Sequence, residues 1–144
     1  MSRKKLYARV GIGVGAVALL TCVFLVAMAV GDLGRLRQGI EKGFDLRGSY
    51  QLPESRGEYL SFQVFDEERT WEAWNGGEAK PARGTIGATD DPNCYLLLDE
   101  AGAEAGWVHL AVADRDGTGT LYVRYGDGDL VEMRKVSTVP LYFK

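Results

Sequence analysis

The spacing of hydrophobic and polar positions along the chain changes twice. From Val10 to Val30 there are 21 residues without a charge and apolar on every face, enough for a helix of roughly 32 Å, the thickness of a bilayer's hydrocarbon core. From 31 to 46, Leu33, Leu36, Ile40 and Phe44 recur at three- and four-residue steps, as on one stripe of a helix. Gly31, Gly34, Gly39 and Gly43 weaken such a helix, so a partly helical stalk and an irregular linker both stay open. From Gly48 onward the period becomes two. Strands are predicted at Ser49 to Leu52, Tyr59 to Phe65, Thr70 to Asn75, Gly84 to Thr89, Cys94 to Asp99, Trp107 to Ala113, Thr120 to Tyr125 and Leu130 to Val136, with a short last one at Leu141 to Phe143.

The connections are short and rich in turn formers, among them Asp66-Glu67-Glu68-Arg69, Asn75-Gly76-Gly77, Asp90-Asp91-Pro92-Asn93, Asp116-Gly117 and Asp127-Gly128. Loops of this length join antiparallel neighbours. The fold class is therefore all-β, an antiparallel up-and-down meander after one transmembrane helix, either a small barrel or a strongly curved sheet. Alternation turns Leu60, Phe62 and Val64 to the core, with Val108, Leu110 and Val112 and with Leu121, Val123 and Tyr125. It turns Ser61, Gln63, Thr120, Tyr122 and Arg124 outward. Eight strands of this length fill their interior with side chains, so a ligand cavity is not expected.

Charge adds a direction. Arg3, Lys4, Lys5 and Arg9 precede the span, so the rest of the chain is more acidic than its net charge of −3. Basic residues beside a span stay cytoplasmic. The organisation expected is a cytoplasmic basic segment at 1–9, a transmembrane signal anchor at 10–30, a stalk at 31–46 and an extracytoplasmic β domain at 47–144. Ala27-Met28-Ala29 also fits a signal-peptidase site, and cleavage after Ala29 would give a secreted protein. Leu19-Leu20-Thr21-Cys22 resembles a lipobox with Thr21 in place of a small residue. Gly11, Gly13 and Ala16 fit G-x-G-x-x-A, yet no strand precedes them and no βαβ unit follows, which excludes a dinucleotide fold. Gly11 and Gly15 have the spacing of a close helix pair, a candidate homodimer contact.

Candidate chemistry is sparse. His109 is the one histidine and falls on the outer face of its strand, with no Ser or Cys in a nucleophile context. Cys22 and Cys94 lie on either side of the membrane boundary and cannot pair within an anchored chain; Cys94 is read as a small buried apolar residue. Asp114 to Leu121 matches the first half of a calcium loop, but Tyr125 stands where the bidentate Glu belongs, so a plain turn is expected. Glu67, Glu68, Glu72, Asp90 and Asp91 are read as solvated turn carboxylates. The acidic ectodomain argues against nucleic acid. No catalytic, metal or cofactor residue is assigned. Trp71, Trp74 and Trp107, with Tyr59, Tyr122 and Tyr125, form the aromatic set; Trp71, Trp74, Trp107 and Tyr122 are the candidate ligand or partner surface, and Trp71 and Trp74 point to opposite faces.

The sequence Gly48-Ser49-Tyr50, then Tyr59-Leu60-Ser61-Phe62, Trp71-Glu72-Ala73-Trp74, Gly84-Thr85-Ile86 and Arg134-Lys135-Val136-Ser137-Thr138-Val139-Pro140 resembles small lipocalin-like β-meander proteins of Gram-positive bacteria. Tyr50 stands where a lipocalin usually carries tryptophan. The resemblance implies an N-terminal anchor or signal and supplies no catalytic residue. The expected function is a non-enzymatic binding or envelope interaction module, with the bilayer and an envelope protein or small ligand as partners. A lipocalin-like small-ligand carrier is the alternative.

Overall fold

The computed structural model of the chain describes residues 3–55, 57–65, 68–75, 80–112 and 119–141, with side chains in the helix from Leu19 onward. Helix α1 runs Arg3–Lys42 without a break and is long and apolar enough to cross a membrane. The stalk is therefore helical through Lys42, although glycines stand at four of its positions. Residues up to Arg37 form one compact unit, and those from Gln38 onward form a second.

The second unit is a closed barrel of eight antiparallel strands in sequence order. These are β1 (Gly48–Gln51), β2 (Glu58–Phe65), β3 (Glu68–Asn75), β4 (Ala82–Ala88), β5 (Cys94–Asp99), β6 (Glu104–Val112), β7 (Gly119–Tyr125) and β8 (Val131–Ser137). The first eight predicted strands are present, with ends moved by up to three residues. Glu68 and Arg69 belong to β3, not to the preceding turn, and β6 starts at Glu104. The predicted last strand falls mostly outside the described residues, and Leu141 itself is irregular. Closure comes from β1 against β8, with Ser49 opposite Ser137, Tyr50 opposite Lys135 and a shift between Ser49 and Tyr50.

The interior is packed. Tyr50, Leu60, Phe62, Leu97, Val108, Leu110, Leu121 and Val123 are all fully buried or nearly so. Tyr50 and Phe62 meet edge to face at 5.7 Å. The inward faces read from alternation hold for Leu60, Phe62, Val108, Leu110, Leu121 and Val123, while Val64 and Val112 near the strand ends are half-buried. Ser61 is buried although it faces outward. The segment after β8 returns over this wall: Ser49 Oγ lies 2.8 Å from Ser61 Oγ and accepts from the Leu141 amide at 2.8 Å.

One end of the barrel is closed by the chain on its way in. Gly43, with a φ of +95°, ends α1 in a left-handed turn and donates its amide to the Gly39 carbonyl at 2.9 Å. Asn93, buried in the β4–β5 loop, gives Nδ2 to the Gly39 carbonyl at 3.1 Å and accepts the Phe44 amide on Oδ1 at 2.8 Å. Leu46 follows into the core, where Tyr50 Oη donates to its carbonyl at 3.1 Å. Buried polar groups are satisfied here by one another, as they must be away from water.

Tyr50 carries a pH consequence. Burial, and then the neighbouring Asp45 carboxylate, raise its hydroxyl pKa far above the ordinary phenol value of 10.0. The unfolded chain gives up this proton near 10 and the folded chain keeps it, so the folded state binds more protons and stability falls as pH rises above 10. Unfolding of the full chain in detergent, followed from pH 8 to 11.5, should therefore show an alkaline loss of stability. Tyr50→Phe should reduce that loss, leaving the share of Tyr95 and Tyr125, whose hydroxyls burial also raises, while costing about 1 kcal/mol at neutral pH for the missing hydrogen bond.

Candidate functional site

At the opposite end the strands splay into an open mouth. A cavity of about 420 Å³ lies there, with Leu52, Ala73, Val123, Val131 and Met133 as its apolar wall. Tyr125, in line with inward Leu121 and Val123, adds aromatic wall, while Tyr59 and Trp74, register partners on the outward side of β2 and β3, border the opening with Glu58 and Lys80. Each comes from a strand end or turn, so the site follows from where the alternation runs out of core to fill. Tyr125 is 40% exposed, yet burial within the wall pushes its hydroxyl above the ordinary phenol range. Its open surface faces the cup, and its ring stands 6.4 Å from Trp71.

The four aromatic residues singled out by sequence do not form one surface. Trp71 is 3% exposed and belongs to the core, where its indole Nε1 donates to the Leu98 carbonyl at 2.9 Å, passing over Gly84. Trp74, three residues on, reaches the mouth. Trp107 and Tyr122 are half-buried on the outer wall, opposite Leu96 and Arg124 and opposite His109 and Glu132 respectively. Sequence reasoning turned Tyr125 to the core, grouped Tyr59 and Tyr125 with the tryptophans, and passed over Met133. Only the common height of these residues at the mouth joins them, and no local spacing records that.

The remaining chemistry is dispersed. His109 lies opposite Cys94 across β5 and β6, and Asp91 Oδ2 is 3.9 Å from His109 Nδ1, too far for a hydrogen bond. Cys94 is half-buried rather than buried, and both cysteines are free thiols. Among the described residues no group of three His, Cys, Asp or Glu side chains is placed to hold a metal. The calcium-like segment lies outside the described residues except for Gly119, Thr120 and Leu121, which open β7, and Glu67 lies outside them too. A polar groove on the outer wall is lined by Thr70, Glu72, Arg83, Thr85 and Glu100, with Arg83 Nε 3.2 Å from Glu100 Oε1. Both members of that pair are exposed, so it adds little stability.

No protein family, curated protein or solved structure matches the chain.

Proposed function

We propose that the chain is a single-pass membrane protein, amino terminus in the cytoplasm, whose extracellular barrel is a non-enzymatic binding module that uses its open mouth. The helix supports the anchor, and the cations before it support the orientation. The observation that carries the binding reading is the inequality of the two barrel ends: one sealed by Phe44, Leu46 and Asn93, the other left as an aromatic cup. Exposed aromatic surface, here Tyr125 at 40%, beside two charges is the composition of protein contact sites. Phe62 and Trp71 fill the interior that a deep carrier pocket would need, so an envelope protein presenting a few apolar side chains is the occupant favoured over an enclosed small ligand. The resemblance to small lipocalin-like proteins of Gram-positive bacteria, which carry an anchor or signal, is consistent with this setting.

A photo-reactive phenylalanine analogue at Trp74 tests it. In intact cells, illumination should give one discrete higher-mass adduct, absent when the analogue replaces Thr85 on the outer wall. Adducts of equal yield at both positions, or at neither, would overturn the mouth as the contact. A small amphiphile recovered with the purified full chain, and lost on Trp74→Ala, would transfer the reading to a ligand carrier.

A further inference from the structure

Helix α1 carries a repeat that the barrel does not use. Small residues recur every seven positions at Ala8, Gly15, Cys22 and Ala29, and large aliphatic ones at Ile12, Leu19, Val26 and Leu33, the two series alternating four and three apart. Leu36 takes the next small-residue place. A strict seven-residue repeat drifts around a straight α-helix and stays on one face only where two helices wrap left-handed. Leu19, Val26 and Leu33 are 68%, 62% and 65% exposed, and Cys22 is exposed as well. Acyl chains cover the first two and Cys22 inside the span. Leu33 is different, because it follows Asp32 and is flanked by Arg35 and Arg37, at a level where lipid tails give way to water.

Charge identifies what covers it. With Leu33 and Leu36 in the seam of a parallel pair, Asp32 and Arg37 take the two flanking positions that meet across the dimer at a five-residue offset. A two-fold axis forms that Asp-to-Arg pair twice. The surface that offers Arg opposite Asp32 and Asp opposite Arg37 is a second copy of this helix. We infer that α1 pairs in parallel with α1 of a second chain along this seam. Ala29, Cys22 and Gly15 let the backbones approach within the membrane, and Leu33 and Leu36 zip the pair outside it. This differs from a contact through Gly11 and Gly15, whose four-residue spacing favours a right-handed crossing.

The inference rests on the anchor reading, and one experiment separates the two. In the full chain carrying Cys22→Ser and Cys94→Ser, a single cysteine is placed in turn at each position from Val26 to Arg37, and the membranes are oxidised with copper phenanthroline. Disulfide-linked dimer should peak at Val26, Ala29, Leu33 and Leu36 and fall at Gly31 and Arg35. Peaks at Ala27, Gly31 and Arg35 would mean a four-residue crossing, and a flat profile would mean that lipid alone covers the helix; either overturns the seam. An alkaline carbonate wash of the same membranes reads the anchor independently. A chain released by it loses anchor and seam together, whereas a retained chain with a flat profile loses the seam alone. In the Leu33→Cys chain, Arg37→Glu should lower the dimer yield about threefold, the scale of two exposed ion pairs. Adding Asp32→Lys to that chain should restore it, and failure to restore would overturn the parallel register.

Discussion

Phe62→Ala is expected to remove about 3–5 kcal/mol from the barrel, a large share of the 5–15 kcal/mol or so that a domain of this size has. Phe62 is fully buried, packs against the Tyr50 ring and lies opposite Trp71 across β2 and β3. Removing its ring forfeits apolar transfer energy and leaves a void that rigid strands on every side cannot collapse to fill. Urea unfolding of the full chain in detergent, followed by tryptophan fluorescence, measures this. Phe62→Leu should lose much less, since most of the volume stays. A cost for alanine below about 1 kcal/mol would mean that the interior is loosely filled, and the carrier reading would then gain over the contact module.

The second large effect is expected at Gly84. A Cβ there would overlap the Leu98 carbonyl oxygen and stand 2.9 Å from Trp71 Nε1. The indole reaches across this residue to donate to Leu98. Gly84→Ala therefore forces β4 away from β5 and separates a buried donor from its acceptor. Overpacking and an unsatisfied polar group together should cost about 3 kcal/mol or more. Gly87→Ala is the control on the same strand, because its Cβ would meet only the Leu96 and Leu98 side chains, at 3.3 Å and beyond. It should stay within about 1 kcal/mol of the parent. Equal losses at the two positions would mean that strand propensity, not the Trp71 passage, sets the requirement for glycine.

The strands were legible in the sequence because alternation is local. Leu60 and Phe62, Val108 and Leu110, and Leu121 and Val123 each state their face within a few residues. Closure was not legible, because it depends on Tyr50 meeting Lys135 across most of the chain, through a four-residue strand with a register shift. The burial of Ser61 was hidden for the same reason: the segment that covers it returns from beyond β8. The stripe of Leu33, Leu36 and Ile40 made the partly helical stalk legible; where the helix stops was not, since Gly43, helped by Asn93 from a distant loop, sets the end. The opposed faces of Trp71 and Trp74 could be read from their spacing. Which of them was buried could not, since that is fixed by Gly84 on the neighbouring strand.

Because β8 returns to pair with β1, every strand among the described residues has a neighbour on both sides. An open sheet displayed on a bilayer would meet its neighbours at high local concentration and offer them a template for strand addition. A sealed ring removes that route to fibrils and exchanged strands. Crowding chains together in the membrane then changes which side chains touch without threatening how any one barrel is hydrogen-bonded.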